Sequence, residues 1–372
     1  MNGILFVDDD VRIVEALQAR LRRQRHRWDM HFAVGGLEAL AMLGRRSYDV
    51  VVTDLRMPRV DGIAVLEHLR AGHPGTVRLV LSGDETRETA LKLVPRAHRA
   101  LAKPCREGEL EAALESALAF RQLVADPAVR EVVGRISALP PMPRVYARLL
   151  GLLEDPDATF SDVGDVIASD ISLSAKVLQL ANSPMFATRA STSSVRSAIV
   201  QLGMDTVRVV VLAEGAFGRR ELPGIMRVFA SELHRHSLLV ARVGMELTRD
   251  PALRREAFAA GMLHDIGRLV MELELPGDAD EETGTLRMPS AHAPGGATNH
   301  ANVGAYLLGL WGVPGAIIEA VATHHEDRKD VSLLARILRD AELIVERVSL
   351  GRTPTEDQVQ AMLQVARGRM PA

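Results

Sequence analysis

The sequence predicts two structural classes in one chain: an α/β doubly wound parallel sheet over residues 1–120, then an all-α domain over residues 136–348. Three observations predict this. The chain has 372 residues, more than one domain of ~100–200 residues needs. In residues 1–120, short apolar runs alternate with amphipathic stretches of helical period. After residue 125 the strand-like runs thin out and the helical period takes over.

Each predicted strand is brief and ends in polar residues. Ile4-Leu5-Phe6-Val7 runs into Asp8-Asp9, and Val50-Val51-Val52 into Thr53-Asp54. Leu79-Val80-Leu81 runs into Ser82-Gly83, and Ala100-Leu101-Ala102 into Lys103-Pro104. Met30 to Val34 supplies one more strand. Wholly apolar runs of this length fit strands covered on both faces. Between them, Val14, Leu17 and Leu21 share one helix face, Val65, Leu66 and Leu69 a second, and Leu110, Leu114 and Leu118 a third. Residues 121–135 read as a helical linker, and Leu139-Pro140-Pro141-Met142-Pro143 as the breaker cluster that opens the second domain. Helices are expected there over 145–153, 160–167, 173–181, 195–202, 206–212, 223–248, 256–273, 303–310, 316–324 and 333–348. Residues 277–297 are Gly, Pro and acid without a period and predict a mobile loop. The polar tail, 349–372, predicts fraying around a helix over 356–366.

Composition narrows the function classes. With 47% apolar residues the chain can bury sizeable cores without a disulfide or structural metal. The single cysteine, Cys105, excludes an intrachain disulfide and points to a reducing cytoplasm; its expected role is packing. A net charge of −3 argues against a dominant nucleic-acid surface, and no basic stripe or helix-turn-helix stands out. No run approaches the ~20 apolar residues of a membrane span, and the N-terminus lacks the basic region of a signal peptide. Arg20 to Arg27, Arg219-Arg220 and Arg254-Arg255 are expected to be solvated faces, and Asp10 and Asp61 to be helix caps.

An open parallel sheet gathers ligands outside the carboxyl ends of its strands. Here that edge collects Asp8, Asp9, Asp54, Ser82 and Lys103. Clustered carboxylates repel, which points to a bound divalent cation, and oxygen-only ligands favour Mg²⁺. A carboxylate held by Mg²⁺ and lysine can attack a phosphoryl group, because those cations neutralise the transferred oxygens. Phe6-Val7-Asp8-Asp9, Asp54-Leu55-Arg56-Met57-Pro58-Arg59-Val60-Asp61-Gly62, Ser82-Gly83 and Lys103-Pro104 resemble the receiver domain of two-component response regulators, which has a flavodoxin-like fold. The resemblance implies that Asp54 is the phosphoacceptor. It implies a Mg²⁺ site of Asp8, Asp9, Asp54 and the backbone carbonyl of Arg56, with Ser82 tracking the phosphoryl group, Lys103 pairing with it, and a cis Lys103-Pro104 bond. One position departs: Ala100 stands where such receivers often carry an aromatic switch residue.

The helical half carries a second constellation. Glu232 and His236 form an i,i+4 pair, His264-Asp265-Ile266-Gly267 lies in an apolar helical pattern, and His300, His324-His325 and either Asp340 or Glu342 follow. Imidazoles and carboxylates converging from several helices suit Fe, Mn or Zn. Such an ion acidifies bound water and holds a phosphoryl group. The plain reading of these histidines is interhelical hydrogen bonding and capping. Leu139-Pro140-Pro141-Met142-Pro143, Ala168 to Leu178, Asn182-Ser183-Pro184-Met185-Phe186, Ala198 to Gly203, Gly261 to Gly267, His300 to Leu308 and Trp311 to Pro314 resemble the HDOD branch of the HD superfamily. That resemblance implies a helical signalling domain, generally without catalysis, acting through protein contacts. The related HD-GYP phosphodiesterases hydrolyse cyclic di-GMP, and Glu232, His236, His264, Asp265, His300, His324 and His325 match much of their metal-binding pattern. Arg268 replaces their lysine, and Glu326-Asp327-Arg328 stands where their Gly-Tyr-Pro element belongs.

The expected protein is therefore a cytoplasmic, bacterial-type response regulator. A partner histidine kinase phosphorylates Asp54, and a non-catalytic HDOD output contacts an unidentified downstream protein. The helical linker would transmit rotation or rearrange a homodimer. The alternative is a phosphorylation-regulated metal-dependent phosphohydrolase acting on a cyclic dinucleotide. A third is a phosphate sink with an inert scaffold.

Overall fold

The structure is a computed structural model. It describes residues 1–83, 96–106, 108–136, 143–155, 157–182, 186, 191–204, 206–207, 211, 224–274, 299–327, 330–349 and 355–368. The contacts divide the chain into two units, the first chiefly residues 1–137 and the second chiefly residues 138–372.

In the first unit five parallel strands run in the order β2-β1-β3-β4-β5: β1 (Asn2–Asp8), β2 (Trp28–Val34), β3 (Val50–Asp54), β4 (Val77–Ser82) and β5 (Arg99–Ala102). Every residue of β3 and β4 is buried, as strands covered on both faces require. Helices α1 (Val11–Arg20), α2 (Gly36–Leu43), α3 (Gly62–Gly72) and α4 (Glu109–Leu123) supply the cover. Val14, Val65, Leu66, Leu69, Leu110, Leu114 and Leu118 all face inward, as their spacing predicts. Asp10 caps α1 and Asp61 caps α3, each accepting from a backbone amide of the first turn.

The arginine-rich stretch is not simply solvated. Arg20 donates to Glu111 and Arg27 to Glu115, at 2.8 and 2.7 Å, tying both to α4. The linker also differs from expectation. It is not one continuous helix, because α4 stops at Leu123 and Asp126 caps a separate helix, α5 (Pro127–Arg135), with Pro127 in its first turn.

α5 is docked rather than free. Gly134 sits so close to the Pro74 carbonyl that a Cβ would lie 1.9 Å from its oxygen. Arg78, 2% exposed, reaches beneath this contact. Its guanidinium donates to the carbonyls of Arg96 and Gly134, each at 2.8 Å, and to Pro74 at 3.3 Å. The buried His98 ring accepts from the Arg78 amide at 3.0 Å, and its other nitrogen lies 2.8 Å from the guanidinium, beside the Gly134 carbonyl. Burial, then the neighbouring guanidinium, holds the His98 imidazole well below the ordinary histidine range.

The second unit is helical throughout its described residues. Its helices are α6 (Pro143–Glu154), α7 (Phe160–Ala168), α8 (Ile171–Ala181), α9 (Val195–Leu202), α10 (Gly224–Glu246) and α11 (Pro251–Leu263). They continue with α12 (Ile266–Glu274), α13 (His300–Leu310), α14 (Gly315–Thr323), α15 (Leu333–Ser349) and α16 (Glu356–Gly368). One expectation changes: the helix predicted over 256–273 is broken at His264-Asp265, between α11 and α12. The helix expected over 356–366 is present as α16, where Met362 and Ala366 are fully buried and Arg367 pairs with Glu246 at 2.8 Å. The expected loop at 277–297, and most of the 139–143 cluster, lie outside the described residues. Among the described residues, no helix is long and apolar enough to cross a membrane.

Candidate functional site

Strand topology assembles the first site. Asp8 ends β1, Asp54 ends β3, Ser82 ends β4, and Lys103 follows β5 across a cis peptide bond to Pro104. The Lys103 amide donates to the Ser82 carbonyl at 2.8 Å, which fixes the lysine beside β4. Its ammonium donates to Asp8 Oδ2 at 2.6 Å and also to Asp54 Oδ1. Asp8 Oδ1 accepts from the Asp10 amide at 3.0 Å, and Asp54 Oδ2 from the Arg56 amide at 2.9 Å. Asp8, Asp54 and Ser82 are buried and Asp9 is exposed at the rim. Burial pulls the Lys103 ammonium down, but its bonds to Asp54 and Asp8 outweigh this and hold it above the ordinary lysine range. The lysine stays charged between two buried carboxylates. Three carboxylates and a backbone carbonyl remain as hard oxygen donors, a set that fits Mg²⁺. Cys105 lies beside Pro104, half-buried, and burial raises its thiol.

Helix ends assemble the second site. His264 is the C-cap of α11 and His324 the C-cap of α14. Each ring bonds through Nδ1 to the carbonyl three residues earlier, Gly261 and Val321, at 2.7 Å. A carbonyl only accepts, so Nδ1 carries the proton, and the helix's orphaned carbonyl is satisfied. This turns both Nε2 atoms towards a shared centre. His324 Nε2 is buried there without a hydrogen-bond partner. Two helix C-termini also favour a cation.

Other elements complete the centre. His236, on α10, approaches Glu342 Oε1 at 3.1 Å, and Glu342 Oε2 lies 3.0 Å from His264 Nε2. His300, at the start of α13, lies 3.2 Å from Asp265 Oδ1 and 3.0 Å from His325 Nε2. Arg268 pairs with Asp265 Oδ2 at 2.9 Å. Gly267 permits this convergence: a Cβ there would meet the His300 carbonyl oxygen at 1.9 Å. Three groups place one ligand atom per residue within 4.8 Å: His300, His324 and His325; His236, His264 and Glu342; His264, Asp265 and His324. His264, Asp265, His300, His324 and Glu342 are buried, whereas His325 is exposed and His236 partly so, leaving an open side.

Charge in the cluster follows from burial and proximity. Burial disfavours the His264 cation, but the carboxylates of Asp265 and Glu342 outweigh it and raise the ring to about 9. Burial, then the charge on His264, drives His324 down to about 3, so it is neutral. Burial opposes ionisation of Glu342 and Asp265, yet His264 and their hydrogen bonds pull both well below the usual carboxylate range. The residues present fit a divalent cation: buried carboxylates, and inward-turned imidazoles of which His264 and His324 each bury an Nε2 without a hydrogen-bond partner.

Two sequence-predicted residues stay out. Glu232 is largely exposed and paired with Arg235, a turn away from the cluster. Asp340 is not among the converging groups, because it lies about 200° around α15 from Glu342. The choice left open between the two acids therefore falls on Glu342. Sequence reading also missed the carbonyls of Gly261 and Val321 as orienting groups; a histidine closing an apolar helix is the signal that points to them.

The family model of the HDOD domain matches residues 139–327, and that of the response regulator receiver domain matches residues 4–115. Among curated proteins, the transcriptional regulatory protein ZraR of Escherichia coli O157:H7 is 33% identical over 168 residues, 44% of this chain and 37% of that protein. An uncharacterized protein of Treponema pallidum is 23% identical over 201 residues, 52% of this chain and 39% of that protein. The chain thus spans less than half the length of these relatives. Among solved structures, the MmoQ response regulator from Methylococcus capsulatus is 25% identical, with 61% of this chain and 98% of that one covered and a TM-score of 0.49. The receiver domain of an HD domain-containing protein from Pseudomonas fluorescens is 31% identical, with 32% and 96% covered and a TM-score of 0.31. Because the HDOD match alone spans half of the residues, the chain belongs to the HDOD domain family, with a response regulator receiver domain as its N-terminal part.

Proposed function

We propose that a histidine kinase phosphorylates Asp54 and that the modified receiver controls the HDOD domain, which acts on a downstream protein. One observation carries this: the Lys103 ammonium bridges Asp8 and Asp54 at the carboxyl edge of the sheet. Mg²⁺ held by Asp8, Asp9, Asp54 and the Arg56 carbonyl would supply the charge that neutralises the transferred phosphoryl oxygens. Ser82, at the end of β4, would donate to a phosphoryl oxygen, and Lys103 would pair with it. Acetyl phosphate with Mg²⁺ should add one phosphoryl group to the wild type, read by intact mass, and none to Asp54→Ala. Equal modification of both proteins would sink the assignment.

The signal needs a route that does not use an aromatic switch, since Ala100 has no ring to rotate. β4 and β5 carry Ser82 and Lys103 at one end and Arg78 and His98 at the other. Displacement at the phosphorylated end passes along these strands to the Arg78 guanidinium and so to Gly134 on α5. α5 is the last described element before the HDOD domain begins.

A second reading for the output is a metal-dependent phosphohydrolase. The orphaned His324 Nε2 among inward-facing donors favours it. Here Glu342, Asp265, His236, His264, His300, His324 and His325 would hold Fe, Mn or Zn, and that ion would supply an acidified water. Metal analysis of anaerobically purified protein, beside His264→Ala/Asp265→Ala, separates the readings. Stoichiometric metal lost in the variant supports the centre. A metal-free wild type after reconstitution removes the hydrolase and leaves the protein-contact output.

A further inference from the structure

The helical unit holds a second cleft, lined by residues of α7, α9, α10 and α11, with a volume of about 650 Å³. That size falls within the about 300–1,000 Å³ of small-ligand sites. α10 presents Leu238, Arg242 and Met245 to it, and α11 presents Arg255 and Phe258. On both helices this face lies about half a turn from His236 and His264, so the cleft is separate from the histidine cluster.

Its charge is unbalanced. Among the described residues, Arg196, Arg242 and Arg255 line it with one carboxylate, Asp165, and Arg196 is already paired with that carboxylate. Arg242 and Arg255 have no ion pair or hydrogen bond among the described residues. Arg254, next in the chain, differs: it is engaged by Glu246 and by the Thr248 carbonyl, both at 3.2 Å. The wall also includes the start of α9, where Ser193, Ser194, Val195 and Arg196 present the positive end of an eight-residue helix. Among the described residues, the rest of the lining is apolar, with Phe258 as its aromatic member, apart from Ser169, whose hydroxyl donates to the Val166 carbonyl.

We propose that this cleft binds a nucleoside mono- or diphosphate. The phosphate sits between the two guanidinium groups and the α9 terminus, and the base lies against Phe258 and Met245. A bare anion would leave the apolar wall in water, and an apolar ligand would leave both arginines unanswered. The proposal goes beyond the metal and phosphorylation readings and uses none of their residues.

Calorimetric titration of the full-length protein with AMP, ADP, GMP and GDP, with pyrophosphate as the anion control, tests it. At least one nucleotide should bind at micromolar to submillimolar concentration, and pyrophosphate at least tenfold more weakly. Arg242→Ala and Arg255→Ala, both at exposed positions, should each weaken binding about tenfold or more, while His264→Ala/Asp265→Ala leaves it unchanged. Circular dichroism melts confirm that the arginine variants are folded. Three results overturn the proposal: no nucleotide binding at millimolar concentration, pyrophosphate binding as tight as any nucleotide, or binding untouched by the arginine substitutions. Loss of binding in the cluster variant alone would move the ligand to the histidine site and overturn it too.

Discussion

At the sheet edge, carboxylates from two strand ends close on the Lys103 ammonium, a cation built into the chain. In the helical unit, two buried carboxylates stand among five histidines, and the built-in cation, Arg268, pairs with Asp265. Glu342 meets the imidazoles of His264 and His236, at 3.0 and 3.1 Å. Lys103 offsets one of the two buried carboxylates, so the strand-end site stays negative until a cation arrives, whereas at the helix end Arg268 and a proton on His264 offset Asp265 and Glu342. The scaffold explains the difference. Strand ends converge by topology, so one long side chain from a neighbouring strand reaches both carboxylates. Helix ends converge only where backbones approach closely, and they present ring nitrogens whose orientation their own carbonyls fix.

The largest expected effect comes from removing the built-in cation of the strand-end site. Lys103→Met leaves Asp8 and Asp54 buried and facing one another without their ammonium. Phosphorylation by acetyl phosphate should slow by about 100-fold or more, as with the loss of one preorganised charge at a reacting group. A rate within threefold of wild type would show that the metal alone neutralises this edge.

Gly267→Ala sharpens the other side. The new Cβ would collide with the His300 carbonyl oxygen at 1.9 Å, and backbone cannot yield cheaply there. Overpacking of this kind costs about 1–3 kcal/mol, to be read from the denaturation midpoint. Because the same shift moves His300, metal content should fall as well. A matched pair then locates the acid: Glu342→Gln should lose metal and Asp340→Asn should keep it. The reverse result would place the centre about half a turn around α15 from Glu342.

How much of this was legible follows from the same contrast. Runs such as Val50-Val51-Val52 followed by Thr53-Asp54 announce both the strand and its functional end, so Asp8, Asp54, Ser82 and Lys103 could be placed from sequence. Helical period gave most helices of the second unit but not their crossings. Glu232 matched the spacing of a ligand, yet it lies one turn from the centre and turns to Arg235. The break at His264-Asp265 was hidden because apolar residues continue in register through it. The role of Arg78 as a buried tether was not legible, since the carbonyls it ties to α5 and to the approach of β5, Gly134 and Arg96, lie 56 and 18 residues away.

The finest test concerns that tether, and it is a matter of pH. Burial, then the neighbouring Arg78 guanidinium, holds the His98 ring well below the ordinary histidine value in the folded protein. Unfolding returns it to about 6.5. Between those values the unfolded chain binds more protons than the folded one, so stability rises with pH there. The contribution is intact above about 6.5 and is lost progressively as pH falls towards the folded-state value, by at most about 1.4 kcal/mol per pH unit for one proton. Chemical denaturation of the wild type between pH 7.5 and 5 should show this slope. His98→Gln keeps a group able to accept from the Arg78 amide but cannot titrate, so the curve should flatten by up to that amount. A variant with an unchanged slope would assign the acid sensitivity to other groups and leave the α5 tether indifferent to His98 protonation.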